Sequence, residues 1–211
     1  MSSKNVRSRS RPYDVYPTPT DLVRAGLNAL KELYPTFAPK TMLEPASGTG
    51  PFLDASRATF PTIVTSVGVD VLPQVLSPEH VFHQADFLSW VAPGPVDLAA
   101  TNPPFGLAEQ FIRHTVELLS PGGLALLLLR LSMLGSNRRL PLWTQDVDLR
   151  HVLIVAPRPS FVRGGTDSAE YGLFVIGSGP PSGAPTVSWL SAWKPPRFAS
   201  RKPRSRTTQA I

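Results

Sequence analysis

The chain of 211 residues is predicted to be a doubly wound α/β domain with a mainly parallel sheet. Two observations carry the prediction. Strand-like and helical patterns alternate from about residue 18 to residue 177, and the apolar run 124–129 is typical of a central strand covered on both faces. The domain is expected to span 13–177, between a basic arm at 1–12 and a Pro-rich basic tail at 178–211.

The predicted elements follow from apolar spacing and from the residues that start and stop them. Thr18-Pro19-Thr20-Asp21 has the form of a capping box with Pro at the first helical position, and it opens a helix that Pro35 ends. Further helices are expected up to about Phe60 and over 107–119. Strands are expected at 41–44, 63–70, 81–86, 96–101, 124–129, 151–156 and 171–177, and the chain from Ser178 onward is expected to be mostly irregular.

Composition excludes several classes of protein. No run of 18 apolar residues exists, which excludes a spanning helix, and the polar N-terminus lacks the apolar stretch of a signal peptide. Without Cys there is no disulfide framework and no thiolate ligand or nucleophile, which favours an intracellular protein. His80 and His83 lie three residues apart with no further ligand, so no metal site is expected.

Basic residues are concentrated at the two ends of the chain. Of 21 Lys and Arg residues, four lie in 1–12 and six in 191–211, whereas all 15 acidic residues lie between these segments. Two basic arms on an acidic body are typical of a protein that holds a polyanion. The alternative interpretation is that the arms only keep the protein soluble.

Three successive strand ends carry groups that suit a nucleoside. Gly48 and Gly50 follow the first strand and allow a tight turn and a close backbone approach. Asp70 ends the second strand, where a carboxylate can accept hydrogen bonds from ribose hydroxyls. Asp86 and Phe87 end the third, where they could bind an adenine amino group and cover the base. The loop lacks the third Gly of a dinucleotide fingerprint and the Lys of a P-loop, so a nucleoside without phosphates fits best.

The fourth strand ends in Asn-Pro-Pro-Phe, and here the sequence resembles a known family. The segments LEPASGTGPFL (43–53), GVD (68–70), ADFLSW (85–90) and NPPFG (102–106) resemble those of class I S-adenosylmethionine-dependent methyltransferases. The resemblance is strongest to N6-adenine DNA methyltransferases, including small phage-encoded and restriction-modification enzymes, with the motif order of the gamma type. It implies a Rossmann-like sheet and S-adenosyl-L-methionine as cofactor.

The resemblance also assigns expected roles to cofactor-binding residues. The Thr18 hydroxyl and the start of the helix would hold the methionine carboxylate, and Glu44 would lie near the ammonium. A buried structural role is the alternative for each. The full expected set is Tyr16, Thr18, Glu44, Ala46, Gly48, Gly50, Asp70, Asp86 and Phe87.

The catalytic residues are expected to be Asn102, Pro103, Pro104 and Phe105. The Asn102 oxygen and the Pro103 carbonyl can each accept one hydrogen of an adenine N6 amine, which stabilises the charge that develops on the nitrogen. Consecutive prolines fix the direction of that carbonyl. Phe105 offers a ring on which an extruded base can stack.

Substrate contacts are expected beyond this motif, on the side where the base would enter. Arginines there could neutralise phosphates, and one of two aromatic rings could form the second wall around a flipped base. The candidates are Arg130, Arg138, Arg139, Trp143 and Phe161, with exposed arginines and packed aromatics of no special function as the alternative.

The sequence therefore predicts transfer of a methyl group to adenine N6 in DNA, with no membrane partner, in the cytoplasm of a bacterial or phage-infected cell. RNA adenine is an open alternative. A protein Gln side chain is a third possible substrate, which the basic arms disfavour. A non-catalytic nucleic-acid-binding module is the last alternative function.

Overall fold

The computed structural model describes residues 17–159, 161, 168–191 and 193–194. In chain order these residues form α1 (Thr20–Leu33), β1 (Thr41–Pro45), α2 (Pro51–Thr59), β2 (Thr65–Asp70), β3 (Val81–Gln84), β4 (Val96–Thr101), α3 (Ala108–Leu118), β5 (Leu119–Arg130), β6 (Asp148–Val155), β7 (Tyr171–Gly177) and β8 (Thr186–Trp189). Tyr16, the arm 1–12 and the segment 195–211 lie outside the described residues. No described helix has both the length and the apolar character needed to cross a bilayer.

The eight strands form one sheet in the order β3-β2-β1-β4-β5-β7-β6-β8. Strands β3, β2, β1, β4 and β5 are parallel, whereas β7 runs antiparallel to both of its neighbours, β5 and β6. The predicted doubly wound α/β fold is confirmed. Strands are added outward in one direction from β1 to β3 and in the other direction from β4 to β5, so strand order reverses between β1 and β4. Such sheets bind ligands in the crevice at the carboxyl ends of the strands on either side of this switch point.

Apolar side chains cover both faces of the sheet, as the run 124–129 predicts. Its even-numbered residues belong to the core packed under α1 and α2, and its odd-numbered residues belong to the core that contains α3. Helix α1 lies close to the sheet because Gly26 has no side chain, and a Cβ at this position would collide with the Leu173 side chain of β7. The sheet is thus covered by an apolar core on each face.

The start of α1 differs from the prediction. The helix begins at Thr20, Pro19 is the N-cap residue, and no side chain caps the helix. The predicted capping box is therefore wrong. The Thr18 hydroxyl instead accepts a hydrogen bond of 3.1 Å from the Asn102 amide, because Thr18 faces the end of β4 rather than the first turn of α1.

The segment after Ser178 is more ordered than its composition predicts. Residues 186–189 form β8, which pairs in parallel with β6, and Leu190 and Trp193 are buried. The Trp193 indole Nε1 donates a hydrogen bond of 2.8 Å to the Pro157 carbonyl. The prediction of a mostly irregular segment is wrong at β8. All four of its residues are exposed, so the strand lacks the apolar alternation by which a sequence reveals a strand.

Candidate active site

A cavity of about 600 Å³ lies at the carboxyl ends of β1, β2 and β4, a size that suits a small-molecule ligand. Nine of the predicted site residues with cofactor or catalytic roles line it together: Thr18, Glu44, Ala46, Gly48, Asp70, Asp86, Phe87, Asn102 and Pro104. The structure thus brings the glycine turn, the two strand-end carboxylates and the Asn-Pro-Pro-Phe motif around one cavity.

The turn after β1 has an unusual backbone. Ala46, Gly48 and Gly50 have φ of 51°, 49° and 78°, in the left-handed region. Glycine accepts this conformation freely, but alanine at such a φ costs about 1 kcal/mol or more. A Cβ on Gly48 would meet no atom within 4 Å, whereas one on Gly50 would lie 3.0 Å from the Leu76 side chain. The turn therefore leaves open space at Gly48, which a ligand can fill, and packs tightly at Gly50.

The Asp70 carboxylate holds this turn in place. Oδ2 accepts a hydrogen bond of 2.8 Å from the Gly48 amide, and Oδ1 accepts one of 2.9 Å from the Leu72 amide. Each carboxylate oxygen has a second lone pair with which to accept another donor. Asp70 can therefore support the turn and receive ribose hydroxyls at the same time.

Glu44 is buried beneath the turn, with 2% of its surface exposed. Its Oε2 accepts a hydrogen bond of 2.9 Å from the Leu53 amide at the start of α2. Desolvation by burial raises the pKa of Glu44 well above its usual value, although the hydrogen bonds from Leu53 and Phe52 oppose the shift. An ammonium group placed in the cavity would favour the ionised carboxylate, which already accepts a hydrogen bond from the first turn of α2.

Asp86 and Phe87 occupy the third strand end, but their side chains differ in access. Asp86 is exposed, and its Oδ1 accepts a hydrogen bond of 3.0 Å from the Leu88 amide. The Phe87 ring is only 2% exposed and packs against Phe111 and His114, at centroid distances of 5.0 and 4.8 Å. Phe87 contributes to the cavity wall, but most of its ring is in the core rather than open for stacking.

Two polar atoms in the cavity wall are buried without a hydrogen-bond partner among the described residues. They are Asn102 Oδ1 and Ser47 Oγ. The amide nitrogen of Asn102 donates to Thr18, so the side chain is held with a defined orientation. An unpaired buried acceptor costs about 1–3 kcal/mol, which a bound donor can offset. A ligand with hydrogen-bond donors would therefore be stabilised at this wall.

The remaining residues of the motif are less exposed to the cavity. Pro104 lines it, Pro103 is buried and is not among the lining residues, and Phe105 is half-buried beside it. The Arg130 guanidinium lies over the Phe105 ring, with Cζ 4.1 Å from the centroid, and the Tyr171 ring lies 5.7 Å away. Arg130 therefore lies beside the motif, and its substrate-side role stays a prediction.

The two candidate aromatic walls lie on different faces of the sheet. Trp143 packs on Phe174, 5.6 Å between centroids, and donates through Nε1 to the Met133 carbonyl at 3.0 Å. Trp143 is thus held in the core containing α3, away from Phe105, and these contacts give it a packing role. Phe161 packs against Tyr171, which also contacts Phe105, so Phe161 is connected to the motif.

His80 contacts residues of β2, of α2 and of the connection between β2 and β3. Its Nδ1 lies 2.7 Å from Ser66 Oγ, and its Nε2 lies 2.9 Å from an Asp54 carboxylate oxygen and 3.9 Å from one of Glu79. Both ring nitrogens thus have protein partners, and the cluster fastens the connection between β2 and β3 to α2. His83 lies apart from this cluster, with its ring 5.6 Å from that of Trp90.

Several lining residues were not predicted. Ser47 lies within the glycine-turn segment, where its position between Ala46 and Gly48 was a usable signal. Leu72 and Gln74 come from the irregular connection after β2, and Leu107 and Phe111 come from the start of α3. Apolar residues at these positions also suit an ordinary core, so the sequence alone does not distinguish them.

Comparisons with known proteins agree with this geometry. No family model matches the chain. A type II methyltransferase of Thermus thermophilus is 35% identical over 106 residues, which are 48% of this chain and 23% of that protein. The match therefore spans about a quarter of the length of this curated relative.

Solved structures share the fold at low sequence identity. A protein from Listeria monocytogenes assigned to the class I S-adenosylmethionine-dependent methyltransferases matches with a TM-score of 0.62 and 16% identity, over 84% of this chain and 67% of that one. The M protein of the type I restriction enzyme EcoKI matches with a TM-score of 0.57 and 17% identity, over 78% and 44%. The chain therefore has the fold of the class I S-adenosylmethionine-dependent methyltransferases, and part of it is similar in sequence to a type II methyltransferase.

Proposed function

We propose that the chain methylates the N6 amino group of adenine in DNA, inside a bacterial or phage-infected cell. The observation that carries the proposal is the buried Asn102 Oδ1, which belongs to a residue lining the cavity and has no hydrogen-bond partner in the described part of the chain. An exocyclic amine has the N–H donor that this oxygen needs, and the cavity beside it is large enough for a nucleoside cofactor.

The cavity residues fit S-adenosyl-L-methionine, which when bound supplies an electrophilic methyl group on a sulfonium. Asp70 would accept the ribose hydroxyls and Asp86 the adenine amino group. Glu44 would face the ammonium, and the Thr18 hydroxyl, which already accepts from Asn102, would donate its own hydrogen to the carboxylate. The open space at Gly48 and the unpaired Ser47 hydroxyl support a polar ligand at this place.

Asn102 would act on the target amine through its fixed carboxamide. The nitrogen lone pair of adenine N6 is delocalised into the ring, so the amine is a poor nucleophile. Acceptors at Asn102 Oδ1 and the Pro103 carbonyl would favour a pyramidal nitrogen and stabilise the positive charge that develops on it. The bond between the Asn102 amide and Thr18 holds the acceptor in place before the substrate arrives.

We favour DNA over the other candidate substrates for two reasons. The relative from Thermus thermophilus is described as a type II methyltransferase and the EcoKI protein as the M protein of a type I restriction enzyme, and both descriptions are terms of DNA restriction and modification. The basic arms also suit a polyanion. The basic arms suit either nucleic acid, so RNA adenine is the second candidate and a protein Gln side chain is the third.

On the substrate side, Arg130 and Phe161 are the residues we propose to contact the target nucleotide. Arg130 lies on the Phe105 ring, and its Nε is buried without a hydrogen-bond partner among the described residues. Phe161 is connected to the same ring through Tyr171.

The test is product analysis with labelled S-adenosyl-L-methionine. Long duplex DNA of known sequence is incubated with the protein and digested to nucleosides, and N6-methyladenine is expected. The Asn102→Ala variant should form it at least about 100-fold more slowly while still binding the cofactor by calorimetry. Equal amounts of DNA and RNA in one reaction should place the label on DNA. Label on RNA or on protein alone would contradict the proposal.

A further inference from the structure

A cluster of arginines surrounds one carboxylate beside the cavity. Glu109, in the first turn of α3, lies 3.4 Å from Arg113, 3.5 Å from Arg138 and 3.7 Å from Arg139. Arg113 makes its closest contact elsewhere, to Asp146 at 2.8 Å. Three guanidinium groups are therefore balanced by two carboxylates, which leaves the cluster with a net positive charge.

The two arginines from the loop after β5 are weakly engaged. Their contacts with Glu109 are long for hydrogen bonds. The Arg138 side chain is 78% exposed, and Arg139 Nε is buried without a hydrogen-bond partner in the described residues. Both guanidinium groups thus keep N–H donors that an additional anion can use.

The cluster lies at the carboxyl edge of the sheet, the edge at which the cavity also lies. Glu109 is in the first turn of α3, which follows the carboxyl end of β4, and Arg138 and Arg139 follow the carboxyl end of the neighbouring strand β5. The segment carrying Arg138 and Arg139 follows β5, whose last residue, Arg130, lies on the Phe105 ring. An anion bound here would therefore lie at the same edge of the sheet as a base that enters beside Phe105.

We propose that Arg138 and Arg139 bind a backbone phosphate of the DNA substrate, and that Glu109 is the internal counter-ion which this phosphate displaces. The inference rests on the proposed function. Phosphate presents several acceptor oxygens to the forked donors of arginine, and at this site it would replace a carboxylate that is held only loosely.

The experiment measures binding of a fluorescent DNA duplex by anisotropy, at a series of salt concentrations and with S-adenosylhomocysteine present. The variants are Arg138→Ala, Arg139→Ala and Glu109→Gln. Lys40→Ala is the matched control, because Lys40 is exposed at the amino end of β1, on the opposite edge of the sheet. Thermal melting and the affinity for the cofactor show whether each variant is folded.

Each arginine variant should bind DNA about fivefold more weakly at low salt, and the slope of log affinity against log salt should fall by about one. Glu109→Gln removes the competing charge and should bind about threefold more tightly, while Lys40→Ala should match the unsubstituted protein. Unchanged affinity and slope in folded arginine variants would overturn the inference, as would weaker binding by Glu109→Gln.

The outcomes separate this inference from the proposed function. If the protein forms N6-methyladenine but the arginine variants bind and react normally, only the phosphate site is wrong. If the salt slopes change as expected but no DNA is methylated, the phosphate site stands and the proposed reaction is wrong. An unsubstituted protein with no salt-dependent binding to DNA would overturn the phosphate site directly.

Discussion

The two halves of the carboxyl edge of the sheet differ in how their polar and aromatic groups are used. Around β1, β2 and β4, carboxylates and an amide border a cavity, and two polar atoms there lack partners among the described residues. Around β5, β6 and β7, Trp143 and Phe161 are packed against other rings and Arg130 covers Phe105. The first half has a cavity with polar atoms free to bind a ligand. The second half is indicated as a substrate-side region only by the charge of Arg130 and by its contact with Phe105.

The largest expected effect is on the rate of methyl transfer when the Asn102 amide, which borders both halves, is removed. Asn102→Ala should lower the rate of methyl transfer by about 100- to 1000-fold, because it removes a fixed acceptor from the site of developing charge. The affinity for S-adenosyl-L-methionine, measured by calorimetry, should change by less than about threefold. Thr18→Val removes the hydroxyl that orients the amide and that would also donate to the cofactor carboxylate, so it should give an intermediate rate at saturating S-adenosyl-L-methionine. Full activity in Asn102→Ala would place catalysis elsewhere.

The contrast explains why the cavity half was largely predictable from sequence. A glycine turn after a buried strand and carboxylates at successive strand ends are local patterns, and a parallel sheet necessarily brings its carboxyl ends to one edge. Gly48, Asp70 and Asn102 meet around one cavity for this reason. The turn at Ala46 shows the limit of the argument, since alanine in a left-handed conformation is not predicted by its identity.

The other half was less predictable because the role of an aromatic or an arginine depends on packing between distant segments. Trp143 was a candidate base wall, but it packs on Phe174 of β7. The exposed strand β8 has no apolar alternation, and Trp193 reaches the core through a contact with Pro157. Such contacts join residues far apart in the chain, and no local spacing indicates them.

The second prediction concerns the basic arms, which stay a prediction because they lie outside the described residues. Removing 1–12 and 195–211 should weaken DNA binding about 100-fold at low salt and flatten its salt dependence by several units, because these segments carry nine Lys and Arg residues. The deletion begins after Lys194 because Trp193 is buried. Cofactor affinity should be unchanged, and an unchanged salt slope would refute a role for the arms in binding.

The third prediction concerns the carboxylate that supports the glycine turn. Asp70→Ala should weaken binding of S-adenosyl-L-methionine about 30-fold in calorimetry, because it removes two acceptors for the ribose and releases the Gly48 and Leu72 amides. Asp70→Asn keeps one acceptor oxygen, so its affinity for the cofactor should lie between those of Asp70→Ala and the unsubstituted protein. Normal affinity in a folded Asp70→Ala variant would remove Asp70 from the cofactor site.

The fourth prediction compares the two aromatic candidates directly. Phe161→Leu should lower kcat/KM for DNA about tenfold, because it disturbs the contact through Tyr171 to Phe105. Trp143→Phe should leave kcat/KM within about twofold but lower the free energy of unfolding by about 1 kcal/mol, since the hydrogen bond to the Met133 carbonyl is lost. A reversed order of the two activities would show that Trp143 contacts the substrate.

The smallest expected effect is on the melting temperature of the protein without cofactor, which tests the charge of Glu44. Burial raises the pKa of Glu44 in the folded protein above its unfolded value, so the folded state binds the proton more strongly. The resulting stabilisation is complete below the unfolded pKa of about 4.5 and is lost as pH rises through the folded pKa. Above the folded pKa, the ionised and buried carboxylate therefore reduces stability.

Glu44→Gln cannot ionise, but its side-chain oxygen can still accept from the Leu53 amide. In the absence of cofactor the variant should therefore melt a few degrees higher than the unsubstituted protein at about pH 8, and this difference should shrink as pH falls towards 4.5. With S-adenosyl-L-methionine the order should reverse at about pH 8, because only the carboxylate attracts the ammonium. A melting difference independent of pH would show that Glu44 acts through its hydrogen bonds alone and that its charge has no part in the cofactor site.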